Sequence, residues 1–396
     1  MAGEWRDITL GDFVALQRGH DLTEPERRLG RVPVIGSAGQ NGFHDAALAK
    51  APGIVIGRSG ASFGQVYYSK EDYWPHNTGL YVTDFKGNDP LFAFYFLKAL
   101  DFDRFNSGSA QPSLNRNFIY PIPIRVPKPA EQKAIAAVLG ALDDKIELNR
   151  RINATLEAMA RALFQSWFVD FDPVRAKLDG RQPVSLDPAT AALFPEHLED
   201  SPLGHIPKGW TAGKLGDIGT NSRRGVQPGD IAPNTPYIAL EHMPRRCIAL
   251  GDWSDSADVA SGKSAFKKGE ILFGKLRPYF HKVGVASFDG VCSTDILVLA
   301  PKNPEWFGFL LGHASSDELI QFTDLASTGT KMPRTNWSDI SSFKVALPPK
   351  PIAAAFTRNI QPMLERIHTN LRESRTLATL RETLLPKLLS GELSVI

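Results

Sequence analysis

Cysteine is nearly absent from this 396-residue chain: only Cys247 and Cys292 occur. Two cysteines without metal-type spacing exclude a disulfide-stapled fold and a zinc ribbon, and read as free, buried thiols in a reducing cytosol. Long apolar runs are missing as well. The longest, Leu91 to Leu97, falls far short of the ~20 residues a membrane helix needs. The opening MAGEWRDITLGD has no apolar core behind a basic start, so it does not read as a secretory signal, and a cytoplasmic location is expected. An excess of either charge is lacking too. The formal net charge is +2, residues 1–128 carry 14 Lys+Arg against 13 Asp+Glu, and residues 210–348 carry 15 against 14. Any nucleic-acid site must therefore be a local basic surface among acidic flanks.

The constellations of catalysis are absent in the same way. GRSGASFG, Gly57 to Gly64, is glycine-rich but lacks the Lys-Ser/Thr ending of a phosphate loop. Asn303-Pro304-Glu305-Trp306 lacks the second proline and the partner glycine loop that an amino-methyltransferase would need, and reads as a turn. His44, His76, His205, His242 and His281 are scattered without ligand spacing, so no metal is expected. The chain reads as non-catalytic, with no cofactor of its own.

What is present is an internal repeat. Trp5 aligns with Trp210 at an offset of 205, which places Leu10-Gly11-Asp12 on Leu215-Gly216-Asp217 without a gap; after one insertion Arg18-Gly19 meets Arg224-Gly225. PGIVIGR (Pro52 to Arg58) resembles KGEILFGKLR (Lys268 to Arg277). The offset then settles at 221, where Gly108, Pro112, Asn115, Ile119 and Pro127 match Gly329, Pro333, Asn336, Ile340 and Pro348. Ala134, Ile146, Asn149 and Leu163 continue onto Ala355, Ile367, Asn370 and Leu384. The chain is a tandem duplication of a module followed by a helix.

Short β-branched and aromatic runs punctuated by glycine make each module α+β, among them Ile54-Val55-Ile56, Val66-Tyr67-Tyr68 and Leu80-Tyr81-Val82. The second module answers with Ile271-Leu272-Phe273 and Ile296 to Leu299. In the helices, Ile135, Leu142, Asn149, Leu156 and Leu163 recur every seven residues, interleaved by Leu139, Ile146, Asn153, Ala160 and Trp167. Phe356, Met363, Asn370, Leu377 and Leu384 repeat the pattern, the seam of a coiled coil. Asn149 and Asn370 occupy one seam position, where a polar residue fixes register at a cost in stability. The expected division is a module over 1–128, a central helix over 129–170, a proline-rich linker over 171–209, a second module over 210–348 and a C-terminal helix over 349–396. An antiparallel helix pair would set the two modules at opposite ends of a rod, a caliper suited to two DNA half-sites at fixed spacing.

These features together resemble the specificity subunit of type I restriction–modification systems, with two target-recognition domains. The carriers are the two Trp openings with Leu-Gly-Asp, GKLRPY (Gly274 to Tyr279) and the two Gly-xxx-Pro loops. FQSWFVDFDPVRAK (Phe164 to Lys177), LGHIPKGW (Leu203 to Trp210) and LLPKLLSGEL (Leu384 to Leu393) complete the set, over essentially the whole chain. The resemblance implies tandem pseudo-symmetric α+β target-recognition domains separated by an antiparallel coiled coil. It further implies a bipartite, asymmetric double-stranded DNA target, with one domain per half-site. The implied partners are two adenine-N6 methyltransferase subunits, which carry the S-adenosylmethionine, and a restriction/translocase subunit. The near-neutral modules leave a second reading open, a duplicated coiled-coil adaptor that binds protein.

Base edges are read by Arg or Lys on guanine and by Asn or Gln on adenine, while cations and small donors hold phosphates. The DNA-contact candidates of the first module are Arg58, Ser59, Ser62 and Gln65, then Ser109, Gln111, Asn115 and Arg116. Those of the second are Lys275, Arg277, Tyr279, Thr330, Lys331, Arg334 and Asn336.

Overall fold

The computed structural model describes residues 5–106, 112–184, 186–256, 260–327 and 332–395. They form two compact units, residues 1–146 with 376–396, and residues 147–375. Each long helix therefore contributes one half to each unit.

In the first unit a four-stranded antiparallel sheet is built from β1 (Ala15–Arg18), β2 (Gly53–Gly57), β3 (Val66–Ser69) and β4 (Gly79–Asp84), in the order β1-β4-β2-β3. The run GIVIG is buried throughout, which is why it takes an interior position in the sheet. Helix α1 (Pro90–Ala99) begins where Pro90 can forgo its missing N–H and where the Asp89 carboxylate accepts from the Leu91 and Phe92 N–H groups at 3.0 and 2.9 Å. Phe92, Tyr95 and Phe96 then pack with Phe13, Ile54 and Val82 in the core. A second sheet pairs Val32–Gly36 with Gly39–His44 and, in parallel, with Trp74–Pro75. Arg6–Thr9 pairs with Pro123–Val126 and closes the module, and α2 (Pro129–Phe168) follows at once.

The second unit repeats this plan. β5 (Gly219–Asn221), β6 (Ile271–Gly274), β7 (Val283–Val285) and β8 (Ile296–Pro301) take the matching order β5-β8-β6-β7. Thr211–Lys214 pairs with Lys344–Leu347 as the closing ladder. The second sheet has diverged. It is five-stranded, and it keeps a parallel pair, Pro236–Ile238 with Gly290–Cys292. Helices α3 (Phe307–Ala314) and α4 (Asp317–Ala326) stand where the first module has only α1, and α5 (Lys350–Ser390) ends the fold. Burial pushes the thiols of Cys247 and Cys292 up to about 12, so neither is a thiolate at neutral pH.

Residues 171–209, expected as a linker, are folded. They hold helices Asp172–Leu178 and Pro188–Leu193 and a hairpin of Leu198–Ser201 with Gly204–Pro207. Phe171, Val174, Phe194 and Ile206 enter the core of the second unit beside Trp167 and Trp210. Pro173 and Pro188 start helices and Pro207 ends a strand of the hairpin; four aromatic and aliphatic side chains of the stretch supply the driving force for packing.

Helices α2 and α5 pair antiparallel within each unit. In the second unit the Phe164 and Trp167 rings pack at a tilt against Phe356 at 6.1 and 5.5 Å, and Asn149 lies against Asn370. In the first, Asp143 pairs with Arg381, while Leu139 and Leu388 share the core. The fold is thus α+β, with two modules of one topology joined to an antiparallel coiled coil. Among the described residues no helix is long and apolar enough to cross a membrane.

The register asparagines are fully buried. The Asn149 amide donates to Glu373 Oε2 at 2.9 Å and Ser374 Oγ at 3.3 Å, and the Asn370 amide donates to Asn153 Oδ1 at 2.8 Å. These bonds require α2 and α5 in one register, since a slip would strand several buried polar groups.

Candidate nucleic-acid interface

The end of β2 leads straight into the first candidate cation. The Arg58 N–H donates to Thr78 O at 3.0 Å, and its carbonyl accepts from Leu114 N–H at 2.8 Å; Ser59 and Ser113 form an antiparallel bridge beside it. Gly57 permits the turn, because a Cβ there would stand 2.1 Å from Ser62 O. The loop entered at Pro112 is thereby sewn to the strand end. Beneath it lies a polar cleft of about 580 Å³ lined by Gln17, Arg18, His20, Asp21, Arg58 and residues 113–117.

The second module repeats the stitch. Lys275 takes the place of Arg58: its carbonyl accepts from Thr335 N–H at 3.0 Å, and Leu276 bridges Arg334. The Arg277 N–H donates to Pro333 O at 2.8 Å from a left-handed backbone at φ 51°. The Arg334 Nε donates to the Asp295 carboxylate at 3.2 Å. Tyr279, 47% exposed, packs edge-on against Phe280 at 4.8 Å, and the Arg245 guanidinium lies 3.9 Å over that same ring. Cations and an exposed aromatic are thus gathered at one loop junction.

The candidates divide accordingly. Arg58, Asn115 and Arg116 line one cleft; Ser59 bridges the loop, and Ser62 and Gln65 lie outside the cleft lining. The backbones of Lys275, Arg277 and Arg334 meet at the second junction, and Tyr279 follows two residues on, packed against Phe280. Asn115 and Asn336 share a structural duty, each capping a short helix by accepting from Asn117 N–H and Asp339 N–H respectively. Ser109, Gln111, Thr330 and Lys331 lie outside the described residues.

Sequence reasoning did not single out Arg18, His20 or Asn117 in the first cleft. Nor did it find Asn221, Arg223, Gln227 and Thr294, which line a cleft of about 480 Å³ in the second module. The Arg18-Gly19 to Arg224-Gly225 match pointed at the right strand end. The two arginines have different surroundings, however: Arg18 borders the cleft beside Asp21, whereas Arg224 is ion-paired with the part-buried Glu270.

Two modules of one topology, each carrying a stitched loop with a cation at the end of an interior strand and joined to paired helices, make a duplicated architecture. Residues 2–158 match the type I restriction modification DNA specificity domain. The chain is 28% identical over 306 residues to the type I restriction enzyme MjaIX specificity subunit of Methanocaldococcus jannaschii, covering 73% of this chain but 65% of that relative's own length. It is 27% identical to the HindI specificity subunit of Haemophilus influenzae over 71% of each chain. To the EcoDI specificity subunit of Escherichia coli it is 24% identical, over 99% of this chain and 89% of that one. Among solved structures, the type I restriction–modification S subunit from M. genitalium superposes at a TM-score of 0.58, with 16% identity over 98% of this chain and 96% of that one, a likeness of fold. Residues 2–158 thus match the type I restriction modification DNA specificity domain, and the chain as a whole is similar to type I restriction enzyme specificity subunits.

Proposed function

We propose that the chain is the DNA sequence-specificity subunit of a type I restriction–modification complex. In this reading each module takes one half of a bipartite, asymmetric duplex target, and the chain performs no chemistry itself. The observation that carries the reading is the repeated stitch: Leu114 N–H to Arg58 O in one module and Thr335 N–H to Lys275 O in the other, each fixing a cation and a polar loop at the end of the equivalent interior strand. Sharing the frame while differing in side chains is what two unlike half-sites require. The protein-binding adaptor is not favoured, since the matched domain is a DNA specificity domain.

Two adenine-N6 methyltransferase subunits, each with its own S-adenosylmethionine, would supply the methyl transfer, and a restriction/translocase subunit would supply cleavage. The test is reconstitution. The chain alone should leave DNA unmodified, and adding the methyltransferase subunit and S-adenosylmethionine should give adenine methylation at one motif. A preparation of the chain that methylated DNA unaided would sink the proposal.

A further inference from the structure

We propose that the cleft of the first module seats a phosphodiester of the DNA backbone, with Arg58 as its central clamp and Arg18 and Arg116 flanking it. The proposal rests on the reading of the chain as a DNA-specificity subunit and adds what this particular site holds.

Three guanidinium-bearing residues line the cleft against one carboxylate, Asp21. That carboxylate is already engaged, by the Asn77 amide and by Arg18 at 3.6 Å. Arg116 donates to Leu16 O at 2.9 Å, which ties it to the cleft wall. Arg58 is different. It is half-buried, its backbone is bonded on both sides, and among the described residues its side chain makes one hydrogen bond, a long one of 3.4 Å to Asn77 O. A guanidinium carries five donors, so a half-buried one with a single long bond is built for an acceptor that comes from outside.

Guanine and a phosphodiester both offer paired acceptors to an arginine fork. Shape decides between them. The base edges of a duplex lie at the floor of a groove and are reached by parts of a protein that protrude. The sugar–phosphate backbone is a convex ridge and fits a concave site. Arg58 lies in a cleft of about 580 Å³, while Phe118, next in sequence to the lining residue Asn117 and outside the lining, is 56% exposed. Arg58 therefore sets the register of the first module on the duplex, and base choice falls to what stands proud of the cleft.

The complex of this chain with its methyltransferase subunit is titrated with a cognate and a scrambled duplex across a salt series. Loss of one phosphate contact lowers the log–log salt slope by about 0.9. Arg58→Ala should show that drop, weaken both duplexes by the same factor and leave the methylated motif unchanged; Arg58→Lys should keep the slope. An unchanged slope with relaxed choice at one base pair would make Arg58 a base reader and overturn the clamp. A scan of single methylphosphonates through the duplex leaves the protein intact: one position should weaken the wild-type complex and leave Arg58→Ala no weaker. If no position separates the two proteins, the clamp is wrong. Inorganic phosphate as competitor should act only through ionic strength; specific competition would assign the cleft to free phosphate instead. A wild-type complex without preference between cognate and scrambled duplexes would sink the specificity reading, while the slope and the scan would still judge the clamp.

Discussion

Glu157 is a carboxylate on α2 that is only 6% exposed, and it accepts from the Ile248 and Ala249 N–H groups at 3.1 Å each and from the Cys247 thiol at 3.2 Å. A buried charge is tolerated where several donors converge on it. Here those donors tie the central helix to the second module. Glu157→Ala strands two buried amides and should cost about 2–4 kcal/mol, read as a lower denaturation midpoint at unchanged m-value. His313 sets a pH dependence of its own. It is buried among Phe164, Phe309 and Phe343, and burial holds its pKa down to about 3. The unfolded chain takes up that proton near pH ~6.5, so it binds more protons than the folded one, and stability falls as pH drops from there toward the folded value. Between about pH 6.5 and pH 5 the loss is roughly 2 kcal/mol. Thermal unfolding should show a smaller acid-side fall for His313→Leu than for the wild type; parallel curves would contradict the assignment.

At the scale of elements, one contact between a helix of the second module and α2 is especially tight. Gly312 on α3 faces Phe164 of α2 so closely that an added Cβ would stand 2.0 Å from the ring. Gly312→Ala should cost about 1–3 kcal/mol by overpacking, measurable by denaturant unfolding. The coiled-coil seam was legible from its seven-residue period; Ile135, Leu139, Asn149, Phe356 and Asn370 are buried as it requires, while Leu142, Leu156, Met363 and Leu377 are only partly so. Glu157 was not legible, since a charge on a helix reads as solvated until the facing loop is known. The folded nature of residues 171–209 was hidden for a similar reason: their helices are short and their stability comes from packing on Trp167 and Trp210. Strands of two to four residues in the second module's five-stranded sheet gave no signal either, because pairing with distant partners decides them.

For the whole molecule, duplication is the organising fact. The repeat carried the module plan, the closing ladders and the stitched loops, all of which depend on residues shared between the copies. It could not carry the clefts in full: their lining mixes shared positions such as Asn115 with unshared ones, and even the matched Arg18 and Arg224 have different surroundings, Arg18 bordering the first cleft and Arg224 pairing with Glu270. Separate modules imply separable half-sites. Exchanging residues 1–128 for those of a relative should change one half of the target only, and a change in both halves would break the account.

The most direct measurement is modification sequencing of DNA incubated with this chain and the proposed methyltransferase subunit, for the wild type and for the exchange of residues 1–128. The account predicts a motif of two unlike fixed blocks around a spacer of constant length, with one block replaced in the exchanged protein. A single contiguous motif, or methylation at the same sites without this chain, would contradict it.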